Sequence, residues 1–353
     1  MVKVLIVDDS RVVQELLAHV LTSDPAIRVA GIVNNGLEAL QAVKQTRPDV
    51  ITMDIHMPTM GGFEATRQIM ENQPTPIVIV SGSSSANEVA FSFQAVEAGA
   101  LAVVSRPPGI SHPEYAAAAQ ELVQTVKLMS EIKVVTRRAR AKIPPMAPEV
   151  APAPMPVAAR EIKIAAIGAS TGGPMVLQQI FSALPPSLPF PLVIVQHIAR
   201  GFTRGFVEWL AGASRFPLRI ASHGEYPIPG CGYVAPNGFH LGVEIGPRIV
   251  LSDHAPEHGL RPSVAYLFRS VAETFGPQAV GVLLTGMGSD GAEELKTMKL
   301  RGAVTVAQDK ATSVIHGMPG AAIELDAAIH VLPPEGIAAL LAALANQGSR
   351  SKQ

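Results

Sequence analysis

Short aliphatic runs alternate with amphipathic stretches along the chain, and this alternation constrains the fold more than any other feature. In the N-terminal part the aliphatic runs are Val4–Val7, Val29–Val33, Val50–Met53, Ile77–Val80 and Ala102–Val104. Runs that are apolar throughout are typical of strands buried on both faces of a parallel sheet. Helical spacing is found between them, in Val12–Leu21, Gly36–Gln45, Phe63–Glu71 and Ala86–Ala98. The pattern predicts an α/β fold, a (βα)5 doubly wound domain.

The C-terminal part repeats the alternation. Its predicted strands are Ile164–Ile167, Leu192–Gln196, Gly232–Ala235, Ile249–Leu251, Val280–Leu284, Ala303–Ala307 and Ile329–Leu332. Its predicted helices are Met175–Ala183, Thr203–Ala213, Pro262–Thr274, Gly291–Arg301, Gly320–Leu325 and Glu335–Gln347. We expect a second α/β domain with a mainly parallel sheet, and antiparallel pairs in the strand-rich region Ser222–Leu251.

A proline-rich segment, PPMAPEVAPAPMP at 144–156, separates the two parts. It has few bulky apolar groups and few backbone donors, so it predicts an extended spacer that packs no core. For a chain of 353 residues two domains are also the expectation from length. We place a first domain at 1–125, a Pro/Ala-rich linker at 126–159 and a second domain at 160–347.

Composition excludes several classes of protein. The net charge of -1 gives no field that would favour nucleic acid or an anionic membrane as partner. The single cysteine, Cys231, excludes an internal disulfide and any multi-cysteine metal site. The N-terminus lacks the features of a signal peptide, and no apolar run reaches the ~18 residues of a membrane span. We therefore expect a soluble cytoplasmic protein without membrane insertion.

Five polar residues stand at the ends of the strands predicted for the first domain: Asp8, Asp9, Asp54, Ser81 and Arg106. Ligands of open α/β sheets bind at the carboxyl ends of strands. Carboxylates that converge there repel one another unless a hard cation is present, so Asp8, Asp9 and Asp54 predict a Mg²⁺ site. A hydroxyl and a cation would complete a pocket for a phosphorylated aspartate. Helix capping, by Asp9 or Ser10, would explain one such residue and not all five.

With these residues in place, the first ~125 residues resemble a response-regulator receiver domain. The matching residues are Asp8-Asp9, Met53-Asp54-Ile-His-Met-Pro58, Ser81 and Arg106-Pro107. The resemblance implies that Asp54 accepts phosphate from a histidine kinase, that Asp9, Asp54 and the His56 carbonyl hold Mg²⁺, and that Ser81 and Arg106 form the phosphate switch. Two positions depart from the family: Arg106 replaces a lysine, and Val103 replaces an aromatic residue.

Three strand ends of the second domain carry the residues of a serine hydrolase. Gly168-Ala-Ser170-Thr-Gly172 fits the G-x-S-x-G turn that exposes a nucleophilic serine. His197 follows the next strand and can accept the serine proton. Asp290 lies in the loop LTGMGSDG at 284–291 and can orient that histidine. The chain order Ser–His–Asp differs from the Ser–Asp–His order of α/β-hydrolases.

Each motif has an alternative interpretation. The G-x-S-x-G pattern at 168–172 is more commonly a glycine-rich turn with a serine that caps the following helix. The third also fits the dinucleotide fingerprint G-x-G-x-x-G, with Asp309 downstream, although Asp290 would place a negative charge beside a pyrophosphate. His254-Ala-Pro-Glu257-His258 spells a zinc-protease motif, but Pro256, Gly259 and Pro262 disfavour the helix that the motif needs.

Residues ~160–345 resemble the CheB family of chemotaxis protein-glutamate methylesterases. The shared blocks are GASTGGP at 168–174, Gln196-His197, Ala235-Pro236, His240-Leu241, Arg261-Pro-Ser263, LTGMGSDG at 284–291, Ala307-Gln308-Asp309 and Gly317-Met318-Pro319. The resemblance implies methyl-ester hydrolysis and glutamine deamidation on methyl-accepting chemoreceptors, without a cofactor for hydrolysis. It also implies that the unphosphorylated receiver covers the triad.

For the oxyanion hole our candidates are the backbone amides near Thr171 and Met287. The alternative function is a non-catalytic, phosphorylation-controlled signalling module whose Ser–His–Asp triad is vestigial.

Overall fold

The computed structural model of the chain describes residues 1–82, 86–132, 134, 161–185 and 187–350. The chain divides into two compact units, Met1–Ala153 and Pro154–Gln353. Most of the predicted linker, from 135 to 159, lies outside the described residues. No helix in the described part of the chain combines the length and hydrophobicity that a membrane crossing requires.

The first unit has the predicted alternation of strands and helices. Its strands are β1 (Val2–Val7), β2 (Ile27–Val33), β3 (Val50–Met53), β4 (Ile77–Ser81) and β5 (Ala102–Ser105). Its helices are α1 (Arg11–Thr22), α2 (Gly36–Thr46), α3 (Gly62–Asn72), α4 (Ala86–Glu97) and α5 (Tyr115–Glu131). All neighbouring strands pair in parallel, in the order β2-β1-β3-β4-β5, which confirms the doubly wound prediction.

The fifth helix continues beyond the domain boundary predicted at residue 125. Three of its residues, Leu122, Val126 and Met129, are fully buried and recur at spacings of four and three along one face. Their burial keeps the helix intact to Glu131, so residues 126–131, assigned above to the linker, are helical.

The second unit contains a larger sheet. Its strands are β6 (Ile164–Ala169), β7 (Leu192–Gln196), β8 (Leu218–Ile220), β9 (Gly232–Val234), β10 (His240–Glu244), β11 (Arg248–Ser252), β12 (Ala279–Leu283), β13 (Val304–Gln308) and β14 (His330–Leu332). Its helices are α6 (Gly173–Ala183), α7 (Thr203–Ser214), α8 (Val264–Phe275), α9 (Ala292–Leu300), α10 (Met318–Glu324) and α11 (Pro334–Arg350), with a 3₁₀ turn at Gly276–Gln278.

Seven of these strands form one parallel sheet in the order β14-β13-β12-β6-β7-β9-β8. The central strands β6, β7, β12 and β13 are buried along their whole length, as continuous aliphatic runs predict. The strands β10 and β11 form a separate antiparallel hairpin, which confirms the expectation for Ser222–Leu251. The sequence did not reveal β8, which has only three residues, or β10.

This topology brings three strand ends together. The strand β6 lies between β7 and β12, and the chain passes to β7 on one side and returns to β12 on the other. Such a reversal of strand order opens a crevice at the carboxyl ends of the strands, where α/β proteins bind ligands. The loops that follow β6, β7 and β12 carry Ser170, His197 and Asp290 respectively.

Candidate functional site

The acidic residues of the first unit meet at the ends of two adjacent strands. Asp8 follows β1 and Asp54 follows β3, and these strands pair in register through Val7 and Met53. The Asp54 amide donates to the Val7 carbonyl at 2.9 Å. The His56 amide donates to Asp54 Oδ2 at 3.2 Å, which orients the carboxylate.

The electrostatics of this cluster favour a cation. Burial, together with the charges of Asp8 and Asp9, raises the pKa of Asp54 to about 6, although the amides of Ile55 and His56 partly oppose the shift. Burial also raises the pKa of Asp8, against the lowering effect of the Ser10 amide and of Arg106. The carboxylates therefore repel one another, and a divalent cation would relieve the repulsion.

The donor set of the cluster fits Mg²⁺ better than a metal that needs a complete protein cage. Within the part of the chain that the structure describes, no three His, Cys, Asp or Glu side chains are arranged to hold an ion by themselves. Asp8, Asp9 and Asp54 therefore do not form a closed three-carboxylate site. Mg²⁺ keeps several waters and takes one or two carboxylates, so the all-oxygen cluster remains compatible with it.

Ser81 and Arg106 lie on the next two strand ends, as predicted. Ser81 is the last residue of β4 and is buried, and the Arg106 amide donates to its carbonyl at 2.8 Å. The Arg106 guanidinium packs against Gly82, in the space that a Cβ at that position would occupy. It also acts on the Asp8 carboxylate by charge. The arginine is therefore accommodated because the residue after Ser81 has no side chain.

Replacing Asp54 by asparagine should stabilise the first unit in the absence of divalent cations. The raised pKa means that the fold disfavours the ionised carboxylate. This cost is present above pH ~6 and disappears as the pH falls toward 3.8, the ordinary pKa of an aspartate. A pKa raised from 3.8 to about 6 costs the folded protein at most roughly 3 kcal/mol. We therefore expect Asp54→Asn to raise the free energy of unfolding by ~1–3 kcal/mol at pH 7.5. Calorimetry with EDTA and with saturating Mg²⁺ measures this. Wild type and Asp54→Asn should differ less in unfolding free energy in Mg²⁺ than in EDTA. The same difference in both conditions would contradict the repulsion between carboxylates.

In the second unit Ser170 occupies a sharp turn between β6 and α6. The turn closes through a hydrogen bond from the Gly173 amide to the Ser170 carbonyl at 2.8 Å. Gly172 has a φ of 80°, which a glycine adopts without strain, and it is the N-cap of α6. The helix has no side-chain cap, so the interpretation of Ser170 as a capping serine is wrong.

His197 and Asp290 are joined directly. His197 Nε2 lies 2.9 Å from Asp290 Oδ2, and both side chains are largely buried. The register of β6 and β7 pairs Ala169 with Gln196, so Ser170 and His197 follow neighbouring strand ends. Within the described residues, the His197 imidazole is hydrogen-bonded to Asp290, and no hydrogen bond joins it to Ser170 Oγ. Contact between the proposed nucleophile and base therefore stays a prediction.

Asp290 receives four hydrogen bonds, three of them from the start of α8. Oδ1 accepts from Ser263 Oγ and the Ala265 amide, both at 3.0 Å, and Oδ2 accepts from the Val264 amide at 2.7 Å. Burial raises the pKa of Asp290, but the bond and charge of His197 and the two amides outweigh it and lower the pKa below its ordinary value. The carboxylate is therefore ionised at neutral pH and fixed in direction.

The side chain of Thr285 links the loops around the site. Its Oγ1 lies 3.0 Å from the Thr171 carbonyl and 3.1 Å from the Ile315 carbonyl. The Gly286 amide donates to the Ile315 carbonyl at 3.0 Å, so it is committed elsewhere and cannot serve an oxyanion. Met287 is 44% exposed, and its amide and that of Thr171 remain predictions as oxyanion donors.

The two competing motifs are not assembled as their chemistry requires. Residues 254–258 are not helical, which confirms the sequence prediction, and Glu257 forms an ion pair with Arg269. Asp290, inside the glycine-rich loop, is bound to His197 and α8. Asp309 accepts from the Thr312 amide at 3.0 Å within its own turn.

Sequence reasoning missed several residues that build the site. Ser263, Val264 and Ala265 hold Asp290 although they lie 25–27 positions before it. Ser263 belongs to the block Arg261-Pro-Ser263, and nothing in local spacing connects it to Asp290. Thr285 could have been suspected from its position at a strand end.

Comparison with known proteins covers the whole chain. The family model for CheB methylesterase matches residues 165–341, and the model for the response regulator receiver domain matches residues 4–112. A protein-glutamate methylesterase/protein-glutamine glutaminase of Nitrosospira multiformis is 52% identical over 352 residues, which are 100% of this chain and 99% of that protein. The Syntrophus aciditrophicus protein of the same name, numbered 1, is 53% identical over 98% of this chain and 99% of its own length.

Among solved structures, the CheB methylesterase catalytic domain of Thermotoga maritima is 37% identical with a TM-score of 0.51. The match covers 52% of this chain and 99% of that domain. Both units are thus accounted for, the first by a receiver model and the second by a methylesterase model and a solved relative. The chain belongs to the CheB methylesterase family, with an N-terminal response-regulator receiver domain.

Proposed function

We propose that the protein is a phosphorylation-regulated protein-glutamate methylesterase that acts on methyl-accepting chemoreceptors and also deamidates receptor glutamines. The observation that carries the proposal is the His197–Asp290 pair at the end of β7, beside Ser170 at the end of β6. A buried, ionised carboxylate on one imidazole nitrogen is the arrangement that activates a serine for acyl transfer.

In the proposed reaction Ser170 is the nucleophile and His197 is the general base. Because Asp290 holds Nε2, the nitrogen left to receive the serine proton is Nδ1. Ser170 Oγ bonds to the carbonyl carbon of the glutamyl methyl ester while its proton passes to His197. The ionised Asp290 offsets the charge of the resulting imidazolium. Amides near Thr171 and Met287 would stabilise the negative charge on the carbonyl oxygen.

Collapse of the tetrahedral intermediate breaks the bond to the methoxy oxygen, and His197 returns its proton so that methanol leaves. Water then attacks the acyl-enzyme, with His197 taking a proton from the water and delivering it to Ser170 Oγ. The products are a glutamate side chain and the free serine. With a glutamine substrate ammonia leaves in place of methanol, and the other steps are the same. No group beyond the triad and the backbone amides enters these steps.

Regulation is proposed to act through Asp54 as the phosphate acceptor. With a pKa of about 6 its carboxylate is mostly ionised, and therefore nucleophilic, at neutral pH. Asp9, Asp54 and the His56 carbonyl would hold Mg²⁺, with Asp8 beside them, and the ion would neutralise the carboxylate repulsion. Ser81 and Arg106 would contact the phosphoryl group, and a histidine kinase would supply it.

The proposed activity is tested by incubating the purified chain with the cytoplasmic fragment of a methylated chemoreceptor. We expect methanol from the methylated fragment and ammonia from a fragment with glutamines at the same positions. A fragment whose sites are already glutamates serves as the control and should release neither. Absence of methanol from every methylated receptor offered would contradict the esterase assignment, and absence of ammonia from the glutamine fragments would contradict the deamidase assignment.

Phosphorylation should raise the esterase rate. Acetyl phosphate with Mg²⁺ is expected to increase methanol release by wild type and to leave Asp54→Asn unchanged. Asp24→Asn is the matched control, because Asp24 is a carboxylate of the same unit that pairs with Lys127 at 2.9 Å, and this variant should respond like wild type. Equal stimulation of wild type and Asp54→Asn would contradict regulation through Asp54.

A further inference from the structure

The buried side chain of Gln196 joins the two residues that the proposed mechanism has to align. Its Nε2 donates to the Ser170 carbonyl at 2.9 Å and to the His197 carbonyl at 2.8 Å. Both acceptors belong to the backbone of the proposed nucleophile and base. Gln196 is 3% exposed, so water does not compete effectively for these bonds.

The position of Gln196 explains why such a connection is useful. The parallel pairing of β6 and β7 ends at Ala169 and Gln196, and the last ladder bond runs from the His197 amide to the Ala169 carbonyl at 2.9 Å. Beyond this point the two chains are no longer held by the sheet. The carboxamide of Gln196 therefore continues the connection by one residue on each side, through Ser170 and His197.

The carboxamide oxygen of Gln196 argues against a purely stabilising role for this side chain. Within the described residues, Gln196 Oε1 is buried and has no hydrogen-bond partner. A buried acceptor without a partner opposes folding, so it offsets part of the stabilisation that the two donated bonds provide. The orientation of the amide is nevertheless determined, because a flipped group would direct its oxygen at two carbonyl oxygens.

The start of α6 is shaped around the same group. A Cβ on Gly173 would lie 2.2 Å from Gln196 Oε1 and 2.8 Å from the Ala169 Cβ, too close to both. A glycine at the first position of the helix thus leaves room for the carboxamide. Local helix propensity would favour alanine there.

From these contacts we infer that Gln196 is a positioning residue, whose carboxamide fixes the separation of Ser170 and His197 by binding both backbone carbonyls. The inference rests on the proposed function, since it assigns the purpose of the alignment to acyl transfer. Gln196 touches no reacting atom, so its loss should lower kcat through misalignment and leave KM unchanged.

The test compares Gln196→Met, which keeps the shape and removes both donors, with Gln196→Glu, which turns oxygen toward the two carbonyls. We expect kcat to fall between about 10-fold and 100-fold in the first and further in the second. Gly173→Ala, which displaces the carboxamide and keeps its donors, should also lower kcat. Thr305→Val is the matched control. Thr305 is fully buried, and its hydroxyl bonds the Ala327 carbonyl and the Ile329 amide, neither of which belongs to the proposed site.

Urea unfolding followed by Trp209 fluorescence checks that Gln196→Met and Thr305→Val lose similar stability. If the control loses as much kcat as Gln196→Met, or if Gln196→Met keeps wild-type kcat, the positioning role is wrong.

Crystal structures of wild type and Gln196→Met provide a readout that needs no turnover. We expect Ser170 and His197 to separate by about 0.5 Å or more in the variant, a displacement large enough to disturb a catalytic geometry. Unchanged positions would overturn the inference. An inactive wild type would contradict the proposed function, while the displacement would still decide the role of Gln196.

Discussion

Replacing Ser170 by alanine should lower the rate of methanol release by about 10⁴-fold or more, because removal of a triad serine abolishes the covalent route. The residual rate would come from binding and from the backbone amides alone. The fold should be retained, since the Ser170 backbone, and not its side chain, makes the described hydrogen bonds to Thr285, Gly173 and Gln196. The measurement is methanol release from a methylated receptor fragment at saturating substrate.

Ser214→Ala is the control for loss of a serine hydroxyl in the same unit. Ser214 is buried in α7, and its Oγ donates to the Leu210 carbonyl at 2.6 Å, so the variant should lose some stability and keep its activity. Equal rates for wild type and Ser170→Ala would exclude the serine mechanism. If neither protein releases methanol above the uncatalysed rate, the alternative of a signalling module with a vestigial triad would be favoured.

The sequence predicted the members of the site because each follows a strand that composition makes visible. Continuous aliphatic runs indicate buried parallel strands, and the polar residue after each run is then placed at the functional edge of the sheet. Ser170, His197 and Asp290 could be named in this way. The same reasoning placed Asp8, Asp54, Ser81 and Arg106 at strand ends of the first unit, and their roles stay predictions.

The surroundings of the triad could not be predicted in this way, because they depend on tertiary contacts without local spacing. Ser263 reaches Asp290 across 27 residues, through the packing of α8 beside the sheet. The bonds from Val264 and Ala265 come from backbone amides, which carry no side-chain signature at all. Gln196 was visible as a neighbour of His197, but its two carbonyl acceptors depend on the register of β6 and β7.

Errors in the fold have equally local causes. The helix α5 is not among the predicted elements, because alanines and polar residues obscure its three buried positions, and it extends to Glu131 within the segment predicted as linker. The strand β8 has three residues, none of them fully buried, so its pattern is too short to read. The strand β8 depends on packing against its neighbours, which a pattern of three residues does not encode. The helix α5, by contrast, is rich in strong helix formers and its buried residues recur at helical spacing, so the local sequence does favour it.

Replacing Asp290 by asparagine should reduce activity by about 10⁴-fold and also destabilise the second unit. The loss of activity follows because an amide neither selects the correct imidazole tautomer nor offsets the imidazolium charge. The loss of stability follows because the carboxylate caps α8, accepting from Ser263 Oγ and from the Val264 and Ala265 amides. Asparagine presents one oxygen where two are used, so at least one buried donor loses its acceptor, at a cost of roughly 1–3 kcal/mol.

Trp209 makes the stability measurement specific, because it is the single tryptophan of the chain and is buried in α7 of the second unit. Urea unfolding followed by its fluorescence should show a lower midpoint for Asp290→Asn. Ser263→Ala is the comparison. It removes one donor to Asp290 and the hydroxyl that accepts from the Tyr266 amide at the start of α8, but it leaves the Asp290 carboxylate and its two amide donors. Its urea midpoint should therefore be lower than that of wild type, while its activity should fall much less than that of Asp290→Asn.

The pH dependence of the stability difference between wild type and Asp290→Asn shows whether Asp290 binds α8 as a charged or as a neutral group. The pKa of Asp290 is lowered in the folded protein, so its stabilisation is complete above the unfolded value of about 3.8 and is lost as the pH falls through the folded value. The difference in unfolding free energy between wild type and Asp290→Asn should therefore narrow as the pH falls below about 4. A gap that stays constant down to pH 3 would mean that the bonds to α8 and His197 do not depend on the ionised carboxylate. Such a result would remove the electrostatic basis for assigning Asp290 to the triad.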